Sequence, residues 1–383
     1  MKTLEWLARL VACDTTSRNS NLQLIDLIKD WMFHHQIPIR MTHSPYEQKS
    51  NLLATIPAKN GDMEGGIILS GHTDVVPVDN QSWDTNPFEI VQKEGKVYGR
   101  GTADMKGFLA VILALVPEFK RQSLSRPIHL AFSYDEEIGC KGAPLLIRDI
   151  EQAALKPYAC IVGEPTMMQS IVAHKGIQVF RCRVHGQTVH SSLTTQGCNA
   201  IEHAAKFINY LRNLADQFKK DGPFDSHYDV PFTSVSTNMI NGGIAVNTIP
   251  AVCEFMFEFR HLPQVSAKAI REQIENYIQQ ELLPNIQNEF AQGSIEFEHM
   301  ASVPAFETDM QSAVTKQLLT LSNQKEINKV AYATEAGLFE KAQIPTIICG
   351  PGSIEQAHRA NEFVSLDQLA LCEKFLLRMV NQI

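Results

Sequence analysis

The segment Ile128-His-Leu-Ala-Phe-Ser-Tyr-Asp-Glu-Glu137 is the most informative part of the chain. It begins with a short apolar run, the pattern of a buried strand, and it ends in two adjacent carboxylates. Glu136 and Glu137 would repel each other in a buried position unless a positive group receives them. A divalent metal ion is the simplest such group, because it turns the repulsion into ligation. The segment therefore predicts a metal site at the end of a strand.

Other acidic and histidine side chains stand in similar positions along the chain. Each follows a short apolar run or lies among glycines, as in Gly99-Arg-Gly-Thr-Ala-Asp-Met-Lys-Gly107. Imidazole and carboxylate are the usual ligands of catalytic divalent ions, and a surplus carboxylate beside them can deprotonate water. Any one such residue is usually a surface or core side chain, but the recurrence of the setting predicts a metal-dependent hydrolase. The candidates are His72, Asp74, Asp104, Glu136, Glu137, Glu164 and His358.

The composition is typical of a globular protein with more than one domain. The chain has 383 residues, of which 44% are hydrophobic and 20% are charged. The net charge of −8 argues against nucleic acid or an anionic membrane as a partner, since both favour a basic face. The eight cysteines are scattered, which indicates thiols in a reducing compartment. No apolar stretch reaches ~18–20 residues, so we expect a cytoplasmic protein.

Strand-like and helix-like patterns alternate through the first part of the chain. Short apolar runs at 51–56, 66–70, 128–133 and 159–162 predict strands, and the almost uniformly apolar segment 105–119 predicts a buried helix. Such alternation is typical of an α/β fold with a largely parallel sheet sandwiched by helices. Ligands of these sheets bind outside the carboxyl ends of the strands, which is where the candidate residues fall.

The pattern changes near residue 178. Segments 178–184 and 252–259 alternate apolar and polar residues, as half-exposed strands do, and two amphipathic helical patterns lie between and after them. These features indicate a smaller α+β domain, 178–300, inserted into a catalytic domain formed by 1–177 and 301–383.

Four motifs contain all the candidate ligands except His358: His72-Thr-Asp-Val-Val-Pro77, Gly99 to Gly107, Asp135-Glu-Glu137 and Gly163-Glu-Pro-Thr166. Together they resemble the zinc aminoacylase/carboxypeptidase family of M20 metallopeptidases, and the resemblance covers essentially the whole chain. It implies a zinc-peptidase-like catalytic domain and identifies the inserted domain as a lid and dimerisation domain, so a homodimer is expected.

The resemblance also implies a ligand set for two zinc ions. His72, Asp104 and Glu164 would hold one ion. Asp104, Glu137 and His358 would hold the other, so that Asp104 bridges the pair. Cobalt or manganese could substitute, because these side chains accept several divalent ions.

Further roles are implied for residues beside the metal ions. Glu136 would be the general base that activates a metal-bridging water, and then the general acid. Asp74 would orient His72 from behind. The family also has a cis peptide after the bridging aspartate, which is the Asp104–Met105 bond here.

Three residues of the inserted domain match family positions near the substrate. His190 would reach the active site of a neighbouring subunit and stabilise the oxyanion. Arg260 would receive the substrate carboxylate, a task that suits a planar guanidinium, and Asn247 would lie near the substrate. An exposed charge at a strand end is the less favoured alternative for Arg260, and we interpret the nearby His185 as a surface residue.

The segments Ala333-Thr-Glu-Ala336 and Gly350-Pro-Gly-Ser-Ile-Glu-Gln-Ala-His358 resemble family members that release acetate from N2-acetyl-L-ornithine in arginine biosynthesis. The small-molecule substrate expected is therefore an N-acyl amino acid, with Glu335 as partner of its free ammonium on grounds of charge complementarity. Desuccinylation of succinyl-diaminopimelate and a broad aminoacylase activity are alternatives within the family. A zinc-binding protein without catalytic activity is an alternative outside it.

Overall fold

The computed structural model describes residues 1–322 and 327–382. Residues 323–326 and 383, assigned above to the catalytic domain, lie outside this range. The chain forms two compact units. The first unit comprises Met1–Ala173, Phe306–Lys329 and Thr334–Ile383, and the second comprises His174–Ala305 and Val330–Ala333.

The helices and strands follow in chain order. In residues 1–174 they are α1 (Thr3–Val11), α2 (Leu22–His34), β1 (Ile39–His43), β2 (Ser50–Ile56), β3 (Ile67–His72), β4 (Val91–Lys93), β5 (Lys96–Tyr98), α3 (Lys106–Arg121), β6 (Ile128–Ser133), α4 (Ala143–Gln152), β7 (Ala159–Val162) and β8 (Ile171–His174). Then come β9 (Gly176–His185), β10 (Val189–His190), α5 (Ala200–Asp221), β11 (Ser234–Gly242), β12 (Thr248–Ile249), β13 (Val252–His261), α6 (Ala267–Tyr277), α7 (Leu283–Glu289) and β14 (Ser294–Val303). The last are β15 (Phe306–Glu307), α8 (Ala313–Leu321), β16 (Asn328–Val330), α9 (Ala336–Lys341), β17 (Thr346–Ile348), β18 (Phe363–Ser365) and α10 (Leu366–Val380).

The main sheet is mixed, with a parallel centre. In the part of the chain that the structure describes it has nine strands, in the order β1-β2-β6-β3-β7-β17-β8-β15, with β16 paired to β8. The four central strands, β6, β3, β7 and β17, run parallel to one another. Strands β1, β2 and β8 pair antiparallel. The predicted α/β fold with a largely parallel sheet is confirmed for this centre.

Helix α3 is buried on nearly every side. All residues from Lys106 to Leu113 are buried, and the helix packs against α1 and α10 in the main hydrophobic core. The predicted buried helix is thereby confirmed. Since α3 begins two residues after Asp104, its packing fixes the loop that carries this candidate ligand.

The second unit contains an antiparallel sheet in the order β11-β13-β9-β14. Burial alternates along β9 and β13, and the buried side chains, such as Phe180 and Phe257, pack with residues of α5 and α6. The other face carries charged pairs such as Arg183 with Glu254. This one-sided burial is the α+β arrangement expected from the period-2 pattern.

No helix among the described residues combines the length and the apolar character needed to cross a membrane.

Candidate metal centre and active site

The carboxyl ends of three neighbouring strands bring the candidate ligands together. His72 is the last residue of β3, while Glu136 and Glu137 follow β6 and Glu164 follows β7. Strand β3 pairs in parallel with both β6 and β7, so the three strand ends meet at one edge of the sheet. The sheet topology therefore explains why residues from distant segments meet.

Asp104 lies between two histidines, one on each of its carboxylate oxygens. His72 Nε2 is 3.1 Å from Asp104 Oδ1, and His358 Nε2 is 3.4 Å from Asp104 Oδ2. Glu164 Oε1 lies 3.8 Å from His72 Nε2, and Glu137 Oε2 lies 3.0 Å from His358 Nε2. These contacts form two half-sites that share Asp104. The Asp104–Met105 peptide is cis, as the resemblance implies.

Two carboxylate oxygens of this cluster lack partners. Glu137 Oε1 and Glu164 Oε1 are buried and accept no hydrogen bond from any residue that the structure describes. A buried carboxylate oxygen without a donor is unfavourable by about 1–3 kcal/mol or more. Sets of three donor atoms lie within 4.8 Å of one another in His72/Asp104/Glu137 and in His72/Glu136/Glu164. The donor set and the orphaned oxygens fit divalent metal ions.

The pKa values of the cluster follow from this crowding. Burial and the neighbouring Asp104 carboxylate raise the pKa of Glu137 to about 7. Hydrogen bonds to Asp104 and Glu137 raise the pKa of His358 to about 10. Burial opposes ionisation of Asp104, but its hydrogen bonds with His358 and His72 outweigh burial and hold the pKa well below its usual range. Proton binding by Glu137 and His358 therefore reduces the negative charge of the cluster, as a bound cation would.

Glu136 is the carboxylate beside the two half-sites. Burial, with help from the charges of Glu137 and Asp104, raises its pKa to about 8. Its Oε1 accepts a weak hydrogen bond from the Cys140 thiol at 3.4 Å. A carboxylate whose pKa lies near neutrality can both take and return a proton at physiological pH.

Asp74 holds the two adjacent glutamates by their main chain. Its carboxylate oxygens accept from the amides of Glu136 and Glu137 at 3.1 and 3.3 Å, and from the Ser17 hydroxyl at 2.7 Å. His72 Nδ1 lies 2.9 Å from the Asp74 main-chain oxygen and 3.5 Å from its Oδ1. Asp74 thus fixes the turn after β6 as well as the histidine.

Sequence reasoning missed Glu362, which organises the loop of Asp104. Its Oε1 accepts from the amides of Ala103 and Asp104 at 2.8 and 3.0 Å, and its Oε2 accepts from Gly101 N at 2.8 Å. Buried Arg100 pairs with the same carboxylate at 2.8 Å. The available signal was its position four residues after His358, just beyond the segment that ends at this histidine.

A second missed pair anchors the turn before Glu136. Lys49 Nζ binds both carboxylate oxygens of Asp135 at 2.6 and 2.8 Å, and both side chains are buried. Asp135 has a positive φ of 54°. The ion pair holds a backbone conformation that non-glycine residues rarely adopt.

Glu335, the predicted partner of the substrate ammonium, is a buried residue. Its side chain is 1% exposed, and its two oxygens accept from Ser70 Oγ at 2.5 Å and Ser133 Oγ at 2.8 Å. Both serines lie on strands that end at the metal centre, β3 and β6. Because both oxygens are engaged below the strand ends, this position argues against direct contact with a substrate ammonium. Glu335 instead ties β3 to β6.

His190, Asn247 and Arg260 belong to the second unit. The pairing of β10 with β12 brings the first two close in the fold, and Ser191 N donates to the Asn247 main-chain oxygen at 2.9 Å. His190 is exposed, and its Nδ1 lies 2.8 Å from Ser192 Oγ. Arg260 donates to Glu258 Oε1 at 2.8 Å. The predicted surface residue His185 contacts Glu296 at 2.9 Å.

Fold and site together define a metal-dependent hydrolase. The sequence model described as peptidase family M20/M25/M40 matches residues 68–382, and the chain belongs to this family. It is 33% identical over 388 aligned positions to an acetylornithine deacetylase of Pasteurella multocida, covering 99% of this chain and 97% of the relative.

Two solved structures share the fold. An M20 family metallo-carboxypeptidase of Sulfolobus solfataricus has a TM-score of 0.78 at 16% identity, with 99% of this chain and 98% of the other covered. The YXEP protein of Bacillus subtilis, a dinuclear metal binding peptidase of the M20 family, has a TM-score of 0.68 at 14% identity, covering 99% and 96%.

The metal-stripped protein should lose stability as the pH rises. The pKa values of Glu136, Glu137 and His358 are all raised in the folded chain. A raised pKa stabilises the fold at low pH, and that contribution is lost as the pH rises through the folded value. The loss therefore runs from about pH 4.5 to 8 for Glu136, from about pH 4.5 to 7 for Glu137 and from about pH 6.5 to 10 for His358.

Melting temperatures of zinc-loaded and metal-stripped protein at pH 6 and pH 8 test this expectation. The gap between the two forms should widen at pH 8, because bound metal replaces the protons of the cluster. An equal or narrower gap at pH 8 would contradict the assignment of the cluster as a metal centre.

Proposed function

We propose that this enzyme hydrolyses the amide of N2-acetyl-L-ornithine to L-ornithine and acetate. The observation that carries the proposal is the near full-length similarity to an acetylornithine deacetylase, at 33% identity over 99% of the chain. The cluster around Asp104 supports it independently, since a close group of histidines and carboxylates suits hydrolysis of an amide.

Two zinc ions are the proposed cofactors. His72 and Glu164 would hold one, Glu137 and His358 the other, and Asp104 would bridge them. The one-to-one contacts of the Asp104 oxygens with the two histidines support this division, and so do the orphaned oxygens of Glu137 and Glu164. Bound zinc supplies Lewis acidity, which polarises the substrate carbonyl and lowers the pKa of water.

Glu136 is the proposed proton carrier. Its carboxylate removes a proton from the attacking water and later returns that proton to the leaving amine, so that one residue serves as base and then acid. The pKa of about 8 suits both halves of this cycle. Asp74 supports the role because it holds the amide of Glu136 at 3.1 Å and so fixes the backbone that carries the carboxylate.

Residues of the second unit are proposed to act on the substrate. His190 would donate a hydrogen bond to the developing oxyanion. Arg260 would bind the α-carboxylate in bidentate fashion after exchanging its present partner, Glu258. The main-chain bond between Ser191 and Asn247 supports a joint role, because it holds the flanks of His190 and Asn247 together.

A homodimer formed through the second unit is proposed. Strand β11 is an edge of its sheet, so its outer hydrogen-bonding groups are available to another chain. The edge and the loop after it expose large apolar side chains, namely Met239, Ile240, Ile244 and Val246. A row of such residues on an exposed edge favours pairing with a second copy.

The proposed setting is arginine biosynthesis in the cytoplasm. All eight cysteine side chains are buried free thiols, which suits a reducing compartment. The proposed partner is a small N-acyl amino acid rather than nucleic acid or a membrane, in keeping with the net charge of −8.

Comparison of two amides tests the function. The zinc-loaded enzyme is given N2-acetyl-L-ornithine or N-succinyl-diaminopimelate under identical conditions, and release of free amine is followed for both. The proposal predicts a kcat/KM clearly in favour of acetylornithine. A preference for the succinyl compound would move the activity to desuccinylation, and no turnover of either with zinc bound would refute the proposal.

Glu136→Gln should remove turnover but keep the metal. The amide cannot accept the proton, so kcat should fall ~10²–10⁴-fold. Glu137→Gln is the matched control, because the same change one residue later removes a proposed ligand and should lower the zinc content. Atomic absorption and initial rates are measured on both variants. Near-normal turnover of Glu136→Gln would rule out its role as base.

Glu335→Gln separates an internal role from a substrate-binding role. If the carboxylate only ties Ser70 to Ser133, the variant should melt at a lower temperature, and KM for acetylornithine and acetylmethionine should change in parallel. A rise in KM confined to acetylornithine would instead show that Glu335 contacts the substrate ammonium, since acetylmethionine lacks that charge.

A further inference from the structure

A second group of metal-ligating side chains lies within the second unit. Atoms of Cys198, His203 and Glu289 that could each bind a metal ion lie within 4.8 Å of one another. His203 Nε2 is 3.0 Å from Glu289 Oε2. Cys198 Sγ points toward the main-chain oxygen of Ile286, 3.9 Å away and one turn before Glu289. The three side chains therefore converge at the end of α7.

The chain holds Cys198 and His203 in place by local structure. Cys198 exchanges two main-chain hydrogen bonds with Gln187, at 2.9 and 3.1 Å. The next residue, Asn199, caps α5 by accepting from the amides of Ile201 and Glu202. His203 then lies in the first turn of the helix, so a fixed loop and a rigid helix present a thiol and an imidazole on the same side.

Burial distinguishes this group from an ordinary surface ion pair. Cys198 is 0% and His203 1% exposed. His203 Nδ1 is buried and has no hydrogen-bond partner among residues 1–322 and 327–382, so the ring is committed only to this cluster. The Glu289 side chain is 47% exposed, which leaves an open side for a water molecule.

The chemistry of the three donors matches zinc. Thiolate, imidazole and carboxylate together favour zinc over magnesium or calcium, which prefer oxygen ligands. Tetrahedral zinc separates a nitrogen and an oxygen ligand by roughly 3.3 Å. The observed 3.0 Å between His203 and Glu289 needs only a small opening to reach that separation.

Two features of the cluster oppose a metal ion and must be overcome. Burial, together with the charge of Glu289, raises the pKa of the Cys198 thiol to about 11, so binding must displace this proton. The pKa of Glu289 is lowered first by its hydrogen bond with His203 and then by the charge of nearby Lys206. Its exposed side chain can turn toward solvent when a cation arrives.

We propose that Cys198, His203 and Glu289 bind a structural Zn²⁺ ion, with water as the fourth ligand. The ion would join the start of α5 to the end of α7, two segments that already meet here through the contacts of His203 with Glu289 and of Cys198 with Ile286. Structural zinc sites stabilise the fold directly. This proposal does not depend on the substrate or on the catalytic mechanism.

Cobalt substitution of the full-length protein tests the site. The ligands proposed around Asp104 contain no sulfur, so the intense near-ultraviolet absorption of a Co²⁺–thiolate bond reports only on a cysteine site. The Co²⁺-loaded protein should show this band. Cys198→Ser and His203→Gln should each weaken or abolish it and lower the bound Co²⁺ by one equivalent per chain.

Cys140→Ser is the control, because Cys140 is the thiol that contacts Glu136 in the active site. This variant should keep the full band. The proposal is overturned if the Co²⁺-loaded protein shows no thiolate band, or if the band disappears in Cys140→Ser and persists in Cys198→Ser. His203→Gln retains every cysteine, so its loss of the band would exclude adventitious binding by a thiol alone.

Discussion

Repulsion among buried carboxylates is the constraint around which the first unit is organised. Asp104, Glu137 and Glu164 are buried within a few ångströms of two histidines. Without positive charge such a group is strongly unfavourable, and burial together with the neighbouring carboxylates raises the pKa values of Glu136 and Glu137. The arrangement therefore fits a binding site for cations, in which one carboxylate oxygen of Asp104 faces His72 and the other faces His358.

The surrounding structure fixes this arrangement through main-chain contacts. Asp74 binds the amides after β6, Glu362 binds the amides before α3, and Lys49 holds Asp135. Glu362 and Asp135 each form a buried ion pair, with Arg100 and Lys49 respectively. Removal of one partner from such a pair costs about 3–5 kcal/mol. The loops that carry the ligands are therefore held by buried charges, and each of these charges requires its ion-pair partner.

The sequence was most informative where local pattern determines structure. The runs Ile128–Ser133 and Ala159–Val162 are strands with those bounds, and the apolar segment from Met105 became α3. The direction of the outer strands could not be predicted, because the antiparallel pairing of β2 with β6 depends on the path of the chain between them. The serine partners of Glu335 could not be predicted for a similar reason, since Ser70 lies 265 positions away. Glu362 was missed because a carboxylate that binds main-chain amides leaves no periodic signal.

The most direct test of this account is the anomalous X-ray scattering of crystals of the zinc-loaded protein. The account predicts two strong peaks in the first unit, one between His72 and Glu164 and one between Glu137 and His358, with Asp104 bound to both. The spacing expected for such a pair is ~3.5–4 Å. A single peak that leaves Asp104 bound to one ion, or no peak at these residues, would contradict it.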